Sequence, residues 1–499
     1  MKRAQTDVLI GGAGAAGLTL GLELARRGVA FRIVDKSPDP FGGSRGKGIQ
    51  PRTLEVFEDL GIVDRIAAAG GLYPPQREYK DGGYTDEPVA EDRTPTPDVP
   101  YAMPLMVPQF RTEAVMRERL AELGHHVEFG RELKSLTQNG DSVTATVAGR
   151  NGEERIVTRY LVGADGGRSF ARHALDIGFP GKTLGIRAVV ADLALEGVSD
   201  DAWHRWKDGT PEQMSLCPLR GTDLFQLQAP VPLEGDIDVS AKGLQAMIAA
   251  RTGRKDIRVH AVNWASVYNM NARLADRYAQ GRVYLAGDAA HIHPPTGGQG
   301  LNTSVQDSYN LGWKLAAVLG GAPSSLLATY EAERRPVAAE VLGLSTKLLD
   351  AFRQRGEMRR GRDTHQLDLG YPDSALTMRL ALDLRQHTPA VLPGDRAPDA
   401  PCLGKAGQPV RLFEVLKGTH WTLLGYETGH VVAPRRGLRI VRIGDRAELA
   451  DKRGHLRDAY GLTPGLWVLI RPDGYVAAIL PSAETATLDS FLAGAGLTP

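Results

Sequence analysis

The sequence predicts an α/β fold in which a parallel sheet presents its strand ends to a ligand and an antiparallel sheet is inserted along the way. Three observations predict it. A buried-strand pattern over Asp7-Val-Leu-Ile-Gly11 runs into Gly12-Ala-Gly14-Ala-Ala-Gly17 and a helix. Two later strands, Tyr160-Leu-Val-Gly163 and Val283-Tyr-Leu-Ala286, each give way to a glycine-rich exit holding an aspartate, Asp165 and Asp288. Between them, residues 181–270 alternate in the period-2 manner of strands.

The first element is a βαβ opening. Leu18 to Arg27 is rich in Leu and Ala and closes on Gly28, Val29 to Val34 supplies the second strand, and Asp35 follows Gly12 by 23 positions. That spacing suits an acid on an adenosine ribose. Gly12 makes the tight turn, Gly14 lets a pyrophosphate approach and Gly17 lets helix and strand pack closely, which together predict a dinucleotide site. A basic, glycine-rich loop from Gly42 to Gly48 then enters a helix whose Leu54, Phe57 and Leu60 share a face. Arg45, Lys47 and Arg52 are candidates for phosphate or carboxylate contacts, solvated surface charge being the alternative.

Residues 71–108 are rich in Pro, Gly and charge and read as irregular strands leaving the dinucleotide domain; a helix follows from about Thr112 to Leu123. Ser142-Val-Thr-Ala-Thr-Val147 and Arg155-Ile-Val-Thr158, separated by a glycine-bounded turn, describe a hairpin, after which the chain returns to the buried strand at Tyr160. Asp165-Gly166-Gly167-Arg168 at that strand's end is either an Asp-Gly turn or a second grip on the ligand.

The third strand end is the sharpest. Gly287 permits an abrupt exit, Asp288 places a carboxylate at the strand's carboxyl end, and Pro294, Pro295, Gly297, Gly298 and Gly300 fix an irregular path. After Asn302 the pattern turns helical through Val318, so the loop feeds a helix N-terminus carrying roughly half a positive charge. An ordinary strand-loop-helix corner is the alternative reading.

Strands are expected at Ile186–Leu193, Met214–Leu219, Leu224–Ala229 and Ile257–Tyr268, with a turn at Arg220–Asp223. Met214, Leu216, Phe225 and Leu227 are candidate substrate-pocket residues, plain core being the alternative. Leu326 to Arg353 reads as helical around Pro336, which should start or kink a helix. A charged, Gly-punctuated segment from Gln354 to Asp373 and a polar linker near Gln386 to Pro398 precede the tail.

Composition bounds the rest. At ~150 residues per domain, 499 residues make about three domains. The 60 basic and 59 acidic side chains cancel, which gives no bulk electrostatic case for nucleic acid or an anionic membrane. No apolar run approaches ~18 residues, and Met1-Lys-Arg leads straight into a strand, so a cytoplasmic protein with no membrane partner is expected. Cys217 and Cys402 form no CxxC pair and read as structural thiols. His291-x-His293 has no third ligand nearby in sequence, so no metal is expected.

Taken together, Gly12-x-Gly14-x-x-Gly17, Asp165-Gly166 and Gly287-Asp288, with the flanks Gly281 to His291, Asn310-Leu-Gly-Trp-Lys-Leu315 and Tyr330-Glu-x-Glu-Arg-Arg-Pro336, resemble the class A FAD-dependent aromatic hydroxylases of the p-hydroxybenzoate hydroxylase type. The resemblance covers roughly residues 5–340. Ala15 stands where the family often has Pro. Gly394-Asp-Arg-Ala-Pro398 and Val468 to Tyr475 resemble the thioredoxin-like tail of the phenol and aromatic polyketide hydroxylase branch, without a CxxC, so a structural or oligomeric role is implied.

The resemblance implies a Rossmann-like FAD-binding domain over 1–180, to whose inserted sheet the strands near 71–108 contribute. A substrate-binding β-sheet domain over 181–270, a second FAD-binding part with long helices over 271–390 and a tail over 391–499 complete it. It implies that Gly12, Gly14, Ala15, Ala16 and Gly17 cradle the cofactor, that Asp35 and Lys36 lie at the adenosine ribose, and that Arg45 and Gln109 contact FAD. Asp165, Gly166 and Arg168 would serve FAD and NAD(P)H, and Gly287 and Asp288 the ribityl or pyrophosphate. The stretch Pro294, Pro295, Gly297, Gly298, Gly300, Leu301 and Asn302 would face the flavin's pyrimidine edge.

The implied reaction is hydroxylation of an aromatic substrate, preferentially a polycyclic polyketide of antibiotic or other secondary metabolism, by NADPH or NADH, O2 and a flavin C4a-hydroperoxide. No protein nucleophile is needed, and the sequence does not locate the catalytic acid or base. A small-phenol hydroxylase, a Baeyer-Villiger monooxygenase and a flavin dehydrogenase or reductase share the same motifs. A flavin-dependent halogenase lacks support, because its WxWxIP motif and catalytic lysine have no counterpart, and a non-enzymatic binding module is the remote case. The chain is expected to be a monomer or homodimer.

Overall fold

The computed structural model describes residues 2–90, 93–207, 209–355, 362–378 and 391–498. Its organising layer is an eight-stranded sheet centred on Lys2–Gly11, which pairs in parallel with Gly152–Gly163 on one side and Phe31–Asp35 on the other. Val283–Leu285 lies parallel beyond Gly152–Gly163. Gly11 is in register with Gly163, and Gly163 with Leu285, so three strands from distant parts of the chain stop level with one another. Every loop that leaves them emerges at the carboxyl edge, where open α/β sheets bind ligands.

Gly152–Gly163 is one continuous strand rather than a hairpin arm followed by a separate buried strand. One of its edges pairs in parallel with Lys2–Gly11 from Glu154 to Gly163; the other pairs antiparallel with Val143–Gly149 over its first half and in parallel with Val283–Leu285 over its last three residues. The apolar alternation of the hairpin and the apolar run of the sheet are thus two burial regimes of a single element.

Helix Ala15–Ala25 is buried along nearly its whole length, which explains why it is apolar all round. It packs between Gln109–Glu122 and Gly300–Leu319. Two expected boundaries shift: the helix placed from Thr112 begins at Gln109, and the helix placed after Asn302 begins at Gly300. Ser325–Arg355 runs as one helix through Pro336, which neither starts nor ends it.

The second sheet is built on the antiparallel neighbours Leu224–Val231, Gly181–Glu196 and Arg258–Leu274. Beyond Leu224–Val231 come Met214–Pro218 and then Trp203–Trp206, a strand absent from the sequence reading. The hairpin of Gln76–Lys80 and Gly83–Glu87 joins the edge through a parallel pair with Trp203–Trp206, and His291–Ile292 pairs at the opposite end. Helix Ala241–Thr252, also unforeseen, covers one face with Leu244 and Ile248. Its signals were present: Ser240 caps it by accepting from the Gly243 amide at 3.2 Å, and Gly253 ends it at φ +72°.

The C-terminal part is a seven-stranded sheet from Pro401–Gly404 to Val476–Pro481. Its Trp421, Leu423 and Trp467 share one apolar core with Leu20, Trp313 and the first sheet. A buried ion network reinforces that contact. Glu333 accepts from Arg471 Nη1 and Nη2 at 2.7 and 2.9 Å and from Lys314 Nζ at 2.6 Å, while Asp473 accepts from Arg471 Nη2 at 2.6 Å and Trp313 Nε1 at 3.1 Å. Burial alone would raise the Glu333 carboxyl, but Arg471 and Lys314 outweigh it and hold it well below the usual range. Two cations meet two anions, so the enclosed charge balances.

Two sequence expectations change here. Of the polar linker, residues 386–390 lie outside the described residues, but Val391, Arg396 and Ala397 are buried, the Ala397 amide donating to the Gly474 carbonyl at 2.9 Å. Of the charged segment after Gln354, residues 356–361 lie outside the described residues, and Arg362–His365 is a single 3-10 turn. Both cysteines are buried free thiols, and burial pushes Cys402 up to about 12. Among the described residues no helix is long and apolar enough to cross a membrane.

Candidate active site

One cleft of about 1570 Å³ opens between the carboxyl edge of the first sheet and the second sheet. Its floor starts with the glycine turn. Gly12 has φ +105°, and a side chain there would begin 2.1 Å from the Ala164 carbonyl oxygen; one on Gly17 would begin 1.9 Å from the Gly12 oxygen. Those two glycines let neighbouring backbones touch. Gly14 is different: its φ is −77°, and a side chain there would meet nothing closer than Glu113 Oε1 at 3.7 Å. It leaves the backbone open to the cleft, whereas Gly17 lies behind the lining.

Asp35 braces this turn. Its Oδ2 accepts from the Ala13 amide at 2.8 Å and its Oδ1 from the Ser37 amide at 2.8 Å. At the next strand end, Asp165 Oδ2 accepts from the Ala171 amide at 3.1 Å, while Oδ1 is buried with no hydrogen-bond partner among the described residues. An orphaned carboxylate oxygen at a cleft wall is costly unless a ligand donates to it. Arg168 is exposed beside it, and Arg172, which also lines the cleft, is buried.

Asp288 faces the open cleft yet is ringed by protein, and that burial raises its carboxyl against the pull of His291 and Arg45. Behind it, Gly287 (φ +62°) donates its amide to Asp307 Oδ2 at 3.2 Å, and a side chain on Gly287 would strike Ser304 Oγ at 2.8 Å. His291 Nε2 lies 2.6 Å from the same Asp307 oxygen, and His293 Nε2 lies 2.9 Å from His291 Nδ1. The two histidines therefore brace the loop through each other and Asp307.

Of the seven loop residues singled out from sequence, Pro294, Pro295, Gly298, Gly300 and Leu301 line the cleft. Gly297 and Asn302 do not. Asn302 is fully buried, accepting from the Gln50 amide at 2.8 Å and donating to the Gly48 and Gly298 carbonyls at 2.8 and 2.7 Å. It ties the loop down from behind, with both hydrogens of its side-chain amide spent on backbone carbonyls.

The basic loop divides similarly. Arg45 lines the cleft, its guanidinium 5.5 Å from the Phe41 ring and 5.7 Å from Trp264, and Gln109 accepts from the Gly46 amide at 3.1 Å. Lys47 reaches the cleft while donating to Gln226 Oε1 at 2.6 Å and lying 4.2 Å from the Trp203 ring. Arg52 does not line the cleft: it is buried against Glu55 at 2.7 Å and the Asp473 carbonyl at 2.8 Å, in the contact with the C-terminal sheet.

The substrate-pocket candidates need correcting. Leu216, Phe225 and Leu227 pack on the far face of the second sheet with Leu244 and Ile248; of the four, only Met214 also reaches the cleft. Strand parity explains this, since adjacent residues point to opposite faces. The cleft face is polar instead. Arg205 pairs with Ser215, Ser215 with Gln228, Gln228 with Val190 and Val190 with Ser266, so these five form one row across four strand junctions, and all of them line the cleft. One row along, Asp192 Oδ1 accepts from Ser44 Oγ at 2.5 Å, and burial raises its carboxyl against that hydrogen bond. Polar residues at alternate positions of apolar strands were the available signal.

Residues 5–345 match the model of the FAD binding domain family, and residues 390–495 match that of the aromatic-ring hydroxylase C-terminal family. The chain belongs to the FAD-dependent aromatic-ring hydroxylases. This hydroxylase is 42% identical over 492 residues to a flavin-dependent monooxygenase of Mycobacteroides abscessus, a match covering 96% of this chain and 98% of the relative. It is 33% identical over 541 residues to the 6-methylpretetramide 4-monooxygenase of Streptomyces rimosus, covering 99% and 94%. The crystal structure of aklavinone-11 hydroxylase in ternary complex with FAD and aklavinone superposes with a TM-score of 0.84 at 28% identity, over 99% of each chain. The hydroxylase is thus a flavin-dependent monooxygenase. Its cleft fits FAD on its own evidence, in the open backbone at Gly14, the orphaned Asp165 oxygen and the helix N-terminus at Gly300.

Proposed function

We propose that this hydroxylase uses NAD(P)H and O2 to hydroxylate a polycyclic aromatic polyketide. The observation that carries the reading is the shape of the cleft. At about 1570 Å³ it exceeds the roughly 300–1,000 Å³ of a single-ligand site. It therefore suits a dinucleotide and a large second molecule side by side. The relatives named for tetracycline- and aklavinone-type substrates support the same class.

Bound FAD would supply the redox chemistry, passing electrons from the nicotinamide to oxygen and one oxygen atom to the ring. The chain's own residues hold and orient. In this reading Gly14, Ala15 and Ala16 offer the backbone of the helix N-terminus to the pyrophosphate, and Asp35 and Lys36 flank the adenosine ribose. Arg45, Gln109 and Asp288 line the flavin's path, and Asp165 and Arg168 serve cofactor and nicotinamide. Pro294, Pro295, Gly298, Gly300 and Leu301 form the wall at the pyrimidine edge, with Gly297 and Asn302 as its backing. The row Arg205, Ser215, Gln228 and Ser266 offers hydrogen bonds to an oxygen-rich substrate, while the sheet above keeps bulk water from the reacting ring. The three large sheets read as three domains, with the two parts of the cofactor domain flanking the inserted sheet.

The test is anaerobic reduction of the purified yellow protein by NADPH and by NADH, with and without a panel of phenols and polycyclic aromatics, followed by mixing with ¹⁸O₂. The expected result is a product carrying one ¹⁸O atom from a polycyclic member of the panel. Rapid flavin reduction with no labelled product from any member would favour a dehydrogenase instead.

A further inference from the structure

Glu113 lies one helical turn beyond Gln109 and is only 1% exposed, yet it belongs to the cleft wall. Its Oε1 accepts from Gln109 Nε2 at 2.8 Å and faces Gly14, standing 3.7 Å from where a side chain on that glycine would begin. Its ion pair with Arg117, at 3.9 Å, is too long for a charge-assisted hydrogen bond. From the adjoining strand Asp35 adds a second negative charge, and from the adjoining helix the Ala15 amide adds a partial positive one. Lys36 and Arg45 line the same cleft. Burial pushes the Glu113 carboxyl up to about 7, opposed by Gln109, Arg117 and the Ala15 amide, with Asp35 pushing the same way as burial.

We propose that Glu113 is a further cofactor-binding residue that acts as a neutral acid, donating a hydrogen bond to a pyrophosphate oxygen of FAD, so that binding of FAD takes up a proton. The proposal rests on the FAD reading of the cleft. A carboxylate beside the open Gly14 backbone would meet an anionic pyrophosphate with little water between them, and like charges so placed disfavour joint ionisation. Protonation removes the repulsion and turns an acceptor into a donor. Because the pyrophosphate and the flavin ring have no group of their own that titrates near neutrality, the proton belongs to the protein.

The sign follows from linkage. FAD binding raises the Glu113 pKa, so affinity is flat below the apo-protein's value and falls above it, approaching about tenfold per pH unit. The experiment is calorimetric titration of apo-protein, stripped of flavin, with FAD at pH 6, 7 and 8 in two buffers of different ionisation enthalpy. Wild type is expected to take up close to one proton at pH 8 and close to none at pH 6, with Kd rising on the order of tenfold between pH 7 and pH 8. Glu113→Gln is expected to bind FAD at pH 6 within about threefold of wild type, to lose that proton and to flatten the Kd profile. No proton uptake by wild type at pH 8, or an unchanged slope in Glu113→Gln, overturns the proposal while leaving the cofactor reading intact. Failure of wild type to bind FAD at any pH overturns both.

Discussion

Arg172 donates from Nη1 to the carbonyl of Ala289 at 2.9 Å, while its Nη2 donates to the Gly167 carbonyl at 2.9 Å. One guanidinium, packed 3.9 Å from the Phe179 ring, therefore ties the turn behind Asp165 to the turn behind Asp288. Replacing it by Ala leaves the buried Ala289 carbonyl and the half-buried Gly167 carbonyl without a donor and is expected to cost about 2–3 kcal/mol in urea unfolding. FAD affinity should fall together with stability, because both acids lose their common anchor. A stable Arg172→Ala protein with wild-type affinity would show the two turns to be fixed independently.

The glycine turn separates packing from ligand contact. Gly17→Ala forces an atom to within 1.9 Å of the Gly12 oxygen and is expected to yield little folded protein. Gly14→Ala has room and an ordinary φ, so its thermal stability should stay within about 1 kcal/mol of wild type. Its FAD affinity, read by fluorescence quenching, should nevertheless drop by about tenfold or more, since the added methyl occupies the approach of the pyrophosphate.

Strand parity in the second sheet predicts a clean division of effects. Leu216→Ala should destabilise by about 2–5 kcal/mol and leave KM for the aromatic substrate unchanged in whatever protein folds. Gln228→Leu and Ser215→Ala should raise that KM, leave FAD affinity alone and cost little stability. The opposite pattern, with selectivity following Leu216, would restore the apolar residues as the substrate surface.

The buried network around Glu333 sets an acid limit. A carboxyl held below its unfolded value contributes stability that is complete above about pH 4.5 and is lost as pH falls toward the folded value. Wild type should therefore lose stability steeply below about pH 4.5. Glu333→Gln should be about 3–5 kcal/mol less stable at pH 7 and show a shallower acid dependence, because Arg471 is left buried with half its partners gone.

The parts of the site legible in sequence were those that local backbone chemistry dictates. Gly12, Gly14, Asp35, Asp165 and Asp288 announce themselves by glycine spacing and by where apolar runs stop, and the level strand ends at Gly11, Gly163 and Leu285 bring them to one edge. What stayed hidden depends on which side of an element meets which neighbour. Leu216 and Leu227 look like pocket residues until helix Ala241–Thr252 covers their face, and that helix shows itself in sequence only through its Ser240 cap and Gly253 stop. Asn302 and Arg52 looked ligand-facing because their polar partners, Gln50 and the Asp473 carbonyl, lie hundreds of residues away. The flank Asn310 to Leu315 is visible as a motif, but its purpose is not: Lys314 is there for Glu333, and Glu333 for Arg471, in the turn that follows strand Leu466–Ile470 of the C-terminal sheet.

The level ending of the strands also has a timetable. Leu285 follows Gly11 by 274 residues, and the strand between them in the sheet is not complete until Gly163. On a ribosome adding about 5–20 residues per second, the edge that holds Asp288 is finished roughly 14–55 s after the glycine turn has been made. During that interval the N-terminal strand and helix Ala15–Ala25 have no Gly300–Leu319 to bury them. The nascent chain carries an apolar, half-built nucleotide fold, and cofactor capture belongs to the later part of synthesis rather than to its start.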